Sequence, residues 1–203
     1  QSSGQKKKLP TFSGKIFSRK NGHQSIQDYF EKEGLVAISN VDTRAVVRHI
    51  RDKGAMNCII SSEIQDIDQL KEKLKALPSM EGLELATEVT TKAPYTFGEE
   101  NNNKVAVIDY GIKKNILRSM DERGLYMKVF PAKTSFEEIE KWNPKAYFLS
   151  NGPGDPASMD YAVNTAREII KTGKPTFGIC LGHQILALAN DIATFKMFNG
   201  HRG

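Results

Sequence analysis

The sequence predicts an α/β protein: a mostly parallel sheet with helices on both faces, preceded by a smaller mixed α/β N-terminal domain. Two observations predict it. From Val105 onward, short β-branched and aromatic runs alternate strictly with amphipathic stretches of about 10 to 15 residues, the pattern of repeated strand–helix units whose strands pair in parallel. Before residue 98 the order is irregular, and the polar run Glu99-Glu-Asn-Asn-Asn103 separates the two parts. The expected domains are therefore 1–98 and 104–203, joined by a linker at 99–103, with enough chain for a real core.

Residues 1–22 are polar and basic, broken by Gly14 and Gly22, and read as a loop or a fragmentary edge strand. Ser25 can cap a short helix to Glu33 that puts Ile26, Tyr29 and Phe30 on one face, and Gly34 stops it. Leu35–Ser39 reads as a strand. Asp42 or Thr43 then caps a helix with Ala45, Val46, His49 and Ile50 on one face, ended by Lys53-Gly54. Met56–Ile60 reads as a second strand, and Ile67–Leu77 as a helix with Leu70, Leu74 and Leu77 aligned. The tract 78–97 is mixed. Beyond the linker, strands are expected at Val105–Ile108, Tyr126–Phe130, Ala146–Leu149 and Thr176–Ile179. Helices are expected at Ile112–Arg123, Ser135–Trp142, Met159–Lys171 and Leu181–Ala189, with Gly124 and Gly173 as stops and Ser135 as a cap.

The totals exclude several classes. An apolar fraction of 39% and a charged fraction of 26% are those of an ordinary soluble globular protein. The net charge of +5 comes largely from Lys6, Lys7, Lys8, Lys15, Arg19 and Lys20, a solvated basic segment rather than a nucleic-acid surface. Two cysteines, Cys58 and Cys180, make no disulfide framework and suit a reducing cytoplasm. There is no apolar run of about 18 residues for a membrane span and no signal segment. The chain starts at Gln1 rather than Met, and Gln1–Gln5 are expected to contribute nothing to the fold.

Chemistry concentrates at two strand ends. Gly178-Ile-Cys180-Leu-Gly182 is the cysteine counterpart of the Gly-x-Ser-x-Gly nucleophile elbow. A strand that turns abruptly into a helix holds the middle residue on a strained turn, where bulky neighbours two positions away would collide. The following helix points free N–H groups and its positive end at the sulfur, favouring thiolate. Alone, the pattern fits a buried structural cysteine equally well. Ser150-Asn-Gly-Pro-Gly-Asp-Pro156 follows another buried strand; Gly152 and Gly154 can leave N–H groups open and let a ligand come close. That loop could supply one donor of an oxyanion hole and the Leu181 N–H a second, although by itself the loop reads as a plain turn.

Together the elbow, Thr176–Gln184, and the loop, Ser150–Pro156, resemble a class I, triad-type glutamine amidotransferase. Asp42-Thr-Arg44, Arg51–Met56, Glu88–Thr91 and Asp109–Leu117 extend the resemblance to the small, glutamine-hydrolysing subunits of carbamoyl-phosphate synthetases, over nearly the whole chain from Ser25 onward. The resemblance implies that Cys180 attacks glutamine to form a thioester, that Leu181 and Gly152 N–H groups hold the oxyanion, that Gly154 keeps the loop close, and that Gln184 contacts the substrate. It implies L-glutamine as substrate and a large synthetase subunit as partner in a heterodimer or higher assembly. That subunit receives the ammonia and makes carbamoyl phosphate from bicarbonate, within arginine or pyrimidine biosynthesis. It further implies no metal or cofactor on this chain, ATP and a divalent metal on the partner, docking by the N-terminal domain, and a cytoplasmic location. Alternatives are a non-catalytic docking module or another class I amidotransferase component, such as the anthranilate synthase type.

The family's base is a His-x-Glu pair well beyond the elbow, and no His-x-Glu occurs in these 203 residues. The first part of the N-terminal domain, with a serine the family uses for glutamine, is also absent, so the chain is expected to be a central fragment with negligible activity alone. The four histidines are expected to be structural: His183 on the elbow helix, His201 in the turn Gly200–Gly203, His49 in a core and His23 in a loop. They make no metal-ligand spacing with Cys58, which is expected to be inert packing. Asp109 is expected to cap the next helix.

Overall fold

The computed structural model describes residues 24–200. The chain divides at Leu77–Pro78 into two compact units. In the first, three short helices form behind side-chain caps. Ser25 Oγ accepts the Asp28 N–H at 3.0 Å before α1 (Ile26–Lys32). Asp42 Oδ1 accepts the Ala45 N–H at 2.9 Å before α2 (Thr43–Lys53). Asp66 accepts from Asp68 and Gln69 before α3 (Ile67–Lys75). Each cap satisfies a donor that the helix cannot, a contribution of about 1 kcal/mol.

The expected strands Leu35–Ser39 and Met56–Ile60 do not form among the described residues. A strand needs a neighbour for its N–H and C=O groups, and these two runs find none, so Leu35, Val36, Ile38, Met56 and Ile60 stay exposed. His49 and Cys58, expected to be packed, are exposed as well: no residue of α2 is buried, and Cys58 lies in the run 56–60 that forms no strand. The loop or edge strand expected over 1–22, His23 and His201 lie outside the described residues.

The second unit begins earlier than the expected linker. It contains α4 (Ala86–Val89), β1 (Tyr95–Phe97), β2 (Lys104–Asp109), α5 (Lys114–Asp121), β3 (Tyr126–Pro131), α6 (Phe136–Glu140), β4 (Ala146–Leu149), a 3₁₀ turn (Pro156–Ser158), α7 (Asp160–Lys171), β5 (Thr176–Gly178) and α8 (Leu181–Ala189). Residues 78–98 join it because β1 pairs antiparallel with β3, in register Tyr95 to Val129. The 99–103 run is thus a loop inside this unit, not a boundary. Every strand and helix expected after residue 104 is present; β2 and β3 run slightly longer than expected, while β5 and all the helices but α8 are trimmed.

The sheet order is β1-β3-β2-β4-β5, and all pairs but the first are parallel. Alternation along each strand sorts side chains to two layers. Ala106 and Ile108 of β2 and Tyr147 and Leu149 of β4 meet Ala162, Ala166 and Ile169 of α7 and Leu181, Ile185 and Ala189 of α8. Val105, Val107, Met127, Val129 and Phe148 face the other way, against Leu117 of α5. The second layer is thinner: beside α5, between Ile116, Met120, Phe148, Phe177 and Ile179, the sheet face opens into an apolar cleft of about 680 Å³, and Phe177 is 64% exposed.

Because Leu117 is the one residue of α5 that is fully buried, it carries that helix's attachment. Leu117→Ala is expected to cost about 2–5 kcal/mol in urea unfolding. Ile170→Ala, on the solvent side of α7 and 36% exposed, is expected to cost under about 1 kcal/mol.

Candidate functional site

Strand order places the site. From β2 the chain moves to one side, to β3, and then returns past β2 to β4 on the other side. Loops leaving the carboxyl ends of β2 and β4 therefore diverge and leave a crevice between them, the usual ligand position in open α/β sheets. Three segments gather at that edge: Tyr110-Gly111 after β2, Ser150–Pro156 after β4, and Ile179–Leu181 after β5.

Cys180 sits at the β5–α8 junction with φ 53° and ψ −110°, an unusual backbone state for a residue with a side chain, and it is exposed. Its two glycines are required by contact rather than by their own dihedral angles. A Cβ on Gly178 would lie 2.6 Å from the Gly182 carbonyl carbon. A Cβ on Gly182 would lie 2.1 Å from the Leu149 carbonyl oxygen. The elbow thus packs backbone on backbone, first on itself and then on β4. Hydrogen bonds fix the same geometry: the Ile179 N–H donates to Leu149 O at 3.1 Å, and the Gly182 N–H is shared between Ser150 O and Ile179 O at 3.0 Å each.

The loop after β4 is built in the same way. A Cβ on Gly152 would lie 2.1 Å from Tyr110 O, so that residue rests on the β2 end. Ser150, fully buried, accepts the Tyr110 N–H on its Oγ at 2.9 Å. Asn151 bridges to the same segment, donating to Gly111 O at 3.1 Å and accepting the Lys113 N–H at 3.3 Å. Among the described residues, no acceptor takes the N–H of Gly152 or of Leu181. The sequence offers these same two groups as candidate oxyanion donors, and names Gly154 beside Gly152 as a glycine that can leave its N–H open.

The remaining expected residues lie to one side. Gln184 is exposed, one turn into α8, and its N–H donates to Cys180 O at 3.0 Å. With Gly154, Asp155, Met80, Glu81 and Lys196 it lines a cleft of about 550 Å³. The structure therefore gathers Gly152, Cys180 and Leu181 at the sheet edge, and Gly154 and Gln184 around the adjoining cleft. His183 is exposed on α8. Asp109 does cap, but it caps the turn before α5 rather than the helix: its Oδ1 accepts from Gly111 and Ile112 at 2.8 Å each, and its Oδ2 from Thr91 at 2.8 Å.

Sequence reasoning passed over the segment that meets the loop from outside. Gly82 and Leu83 hold Asp155, and Glu84 pairs with Gly154 in an antiparallel bridge. The Glu84 carboxylate accepts from the Thr87 N–H at 3.1 Å, from the Thr87 hydroxyl and from the Tyr161 hydroxyl at 2.9 Å. Partial burial pushes its pKa upward, but the bonds from Thr87 and Tyr161 and the Lys133 charge outweigh burial and leave it below the usual carboxylate value. Burial first, then the bond to Glu84 and its charge, holds the Tyr161 hydroxyl above its ordinary value. The spacing Glu84-x-x-Thr87 at the start of a short helix was the signal available in the sequence.

Residues 106–203 match the family model described as glutamine amidotransferase class-I, and residues 12–60 match that of the carbamoyl-phosphate synthase small chain, CPSase domain. The chain is 43% identical over 205 residues to the carbamoyl phosphate synthase small chain of Pectobacterium atrosepticum, covering 93% of this chain and 54% of that one. It is 44% identical over 193 residues to that of a Synechococcus, covering 89% and 49%, and 40% identical over 205 residues to that of Escherichia coli K12, covering 93% and 54%. It spans about half the length of the curated relatives it matches. No described helix is long and apolar enough to cross a membrane. The elbow and the glycine loop, at neighbouring strand ends, both lie inside the segment that matches the class-I glutamine amidotransferase model, and the small-chain match precedes it in the sequence.

Proposed function

We propose that this chain belongs to the glutamine-hydrolysing subunit of a carbamoyl-phosphate synthase and that Cys180 is its nucleophile. The observation that carries the reading is the exposed cysteine held at positive φ on a backbone-packed elbow, beside two N–H groups without acceptors. The Cys180 sulfur attacks the side-chain amide carbon of L-glutamine, and the carbonyl pair moves onto oxygen. The N–H groups of Leu181 and Gly152 receive that oxyanion; one such donor is worth about 10²–10³ in rate. Collapse breaks the C–N bond, the nitrogen takes a proton and leaves as ammonia, and a γ-glutamyl thioester remains on Cys180. Water then adds to the thioester, releasing glutamate and the free thiol. Gly154 keeps the loop near the substrate, and Gln184, at the mouth of the 550 Å³ cleft, contacts the bound glutamine.

The proton must leave the thiol and later reach the nitrogen. No His-x-Glu occurs in the 203 residues, and we assign the base to such a pair outside them. His183 is set aside, since it extends from α8 itself. Ammonia passes to a large synthetase chain that binds ATP and a divalent metal and makes carbamoyl phosphate from bicarbonate. The N-terminal segment docks that chain, and the assembly works in the cytoplasm.

Two outcomes test this. An electrophilic glutamine analogue should label the full-length protein at Cys180, located by peptide mass mapping; labelling that persists in Cys180→Ser would remove the nucleophile assignment. The 203-residue chain alone should release glutamate at no more than about a thousandth of the full-length rate, because general base catalysis and thiol activation are both missing. Comparable turnover would shift the base to a histidine within it.

A further inference from the structure

We propose that Glu84 is a positioning residue for the loop that carries the Gly152 donor, acting through the strap Gly82–Leu85. The inference rests on the glutaminase reading above and adds to it a residue outside both sequence motifs.

The strap holds the loop by backbone. The Asp155 N–H donates to Leu83 O at 2.8 Å, the Gly82 N–H donates to Asp155 Oδ2 at 2.9 Å, and Glu84 bridges Gly154. Gly154, at φ +102°, comes so near that a Cβ there would lie 2.8 Å from Leu83 O and 3.0 Å from Leu85 N. The other end of the loop is fixed by Gly152 on Tyr110 and by the shared Gly182 N–H on Ser150 O. Between these anchors there is only Pro153, whose φ is set by its ring. A shift of the strap at Gly154 is therefore passed through a single residue to Gly152 and strains its seat on Tyr110.

Glu84 decides where the strap lies. Its carboxylate accepts from Thr87, on the strap side, and from Tyr161, in the first turn of α7. That helix begins directly after the 3₁₀ turn into which the loop runs. Strap, loop, 3₁₀ turn and α7 thus form a closed ring of contacts, and the Tyr161–Glu84 bond is its one link made by two side chains. Lys133 Nζ lies 5.4 Å from the centre of the Tyr161 ring, and its charge also acts on Glu84. Glu84 and Tyr161 are both half-buried, and their bonds are spent on each other and on Thr87, so their contribution to a reaction at Cys180 is geometric.

An oxyanion donor is used only once charge develops on oxygen, so displacing Gly152 should lower kcat and leave substrate affinity in place. The experiment measures glutaminase kinetics in the full-length protein assembled with its synthetase chain, for Glu84→Ala, Glu84→Gln and Tyr161→Phe. Glu84→Ala and Tyr161→Phe are expected to lower kcat on the order of ten- to a hundredfold, with KM for glutamine within about twofold. Glu84→Gln, which keeps an acceptor oxygen, should recover part of the loss. Carbamoyl phosphate synthesis from added ammonia should be unchanged. A lowered thermal midpoint with unaltered kcat in Tyr161→Phe would overturn the inference, as would a raised KM at constant kcat. Failure of the glutaminase reading is distinguished by Cys180→Ser: if that variant keeps its turnover, the nucleophile is misassigned, whereas an inactive Cys180→Ser beside fully active Glu84 variants removes only the positioning role.

Discussion

The architecture of the second unit depends on one contact, the approach of the elbow backbone to the end of β4. The Gly182 Cα stands where any side chain would meet the Leu149 carbonyl, and Gly178 stands where any side chain would meet Gly182. Helix α8 can then start at Leu181, with only Ile179 and Cys180 between it and β5. Its first turn lies against the sheet edge, with Leu181 and Ile185 buried in the same layer as Leu149 and Tyr147. A methyl group at either glycine would push α8 away from β4, so the constraint that shapes the elbow also closes this layer of the core.

The same contact decides which N–H groups remain open. At a helix start four donors lack intrahelical acceptors. At α8 the Gly182 donor is taken by Ser150 O and Ile179 O, and the Gln184 donor closes on Cys180 O. The Leu181 donor has no such acceptor among the described residues. On the facing loop the Gly152 donor is open because Gly152 lies flat on Tyr110, with its neighbours Ser150 and Asn151 already bonded to β2 and the turn beyond it. Among the described residues the N–H groups of Gly152 and Leu181 are thus left open on two segments joined by the Ser150–Gly182 bond.

The fold of this unit was legible because its signal is local and repeated. Alternation in β2 and β4, glycine stops at 124 and 173 and the Ser135 cap are each written within a few residues, and each element formed. The glycine pattern at 178 and 182 was legible for the same reason. What sequence could not carry was pairing at a distance. Leu35–Ser39 and Met56–Ile60 have strand composition, yet a strand is a property of two segments, and no described partner exists for them. Conversely, Tyr95–Phe97 drew no strand assignment in a mixed tract and became one by pairing with β3. The strap at 82–85 was invisible likewise, since its meaning lies in Gly154 and Tyr161, on the far side of the sheet sequence.

Cys180 shows how such pairings are spent. A non-glycine residue at φ 53° and ψ −110° costs on the order of 1–3 kcal/mol. No single bond around it is worth that much net, since an ordinary hydrogen bond contributes about 1 kcal/mol. The strain is held instead by several constraints on the residues beside it: Ile179 bonded to β4, Gly182 bonded to the loop, Leu181 and Ile185 buried at 1% and 0% exposure. Relaxing Cys180 to an ordinary helical or extended conformation would break more than one of them. The Cys180 side chain stays exposed while its neighbours hold the backbone, which leaves the sulfur available for chemistry.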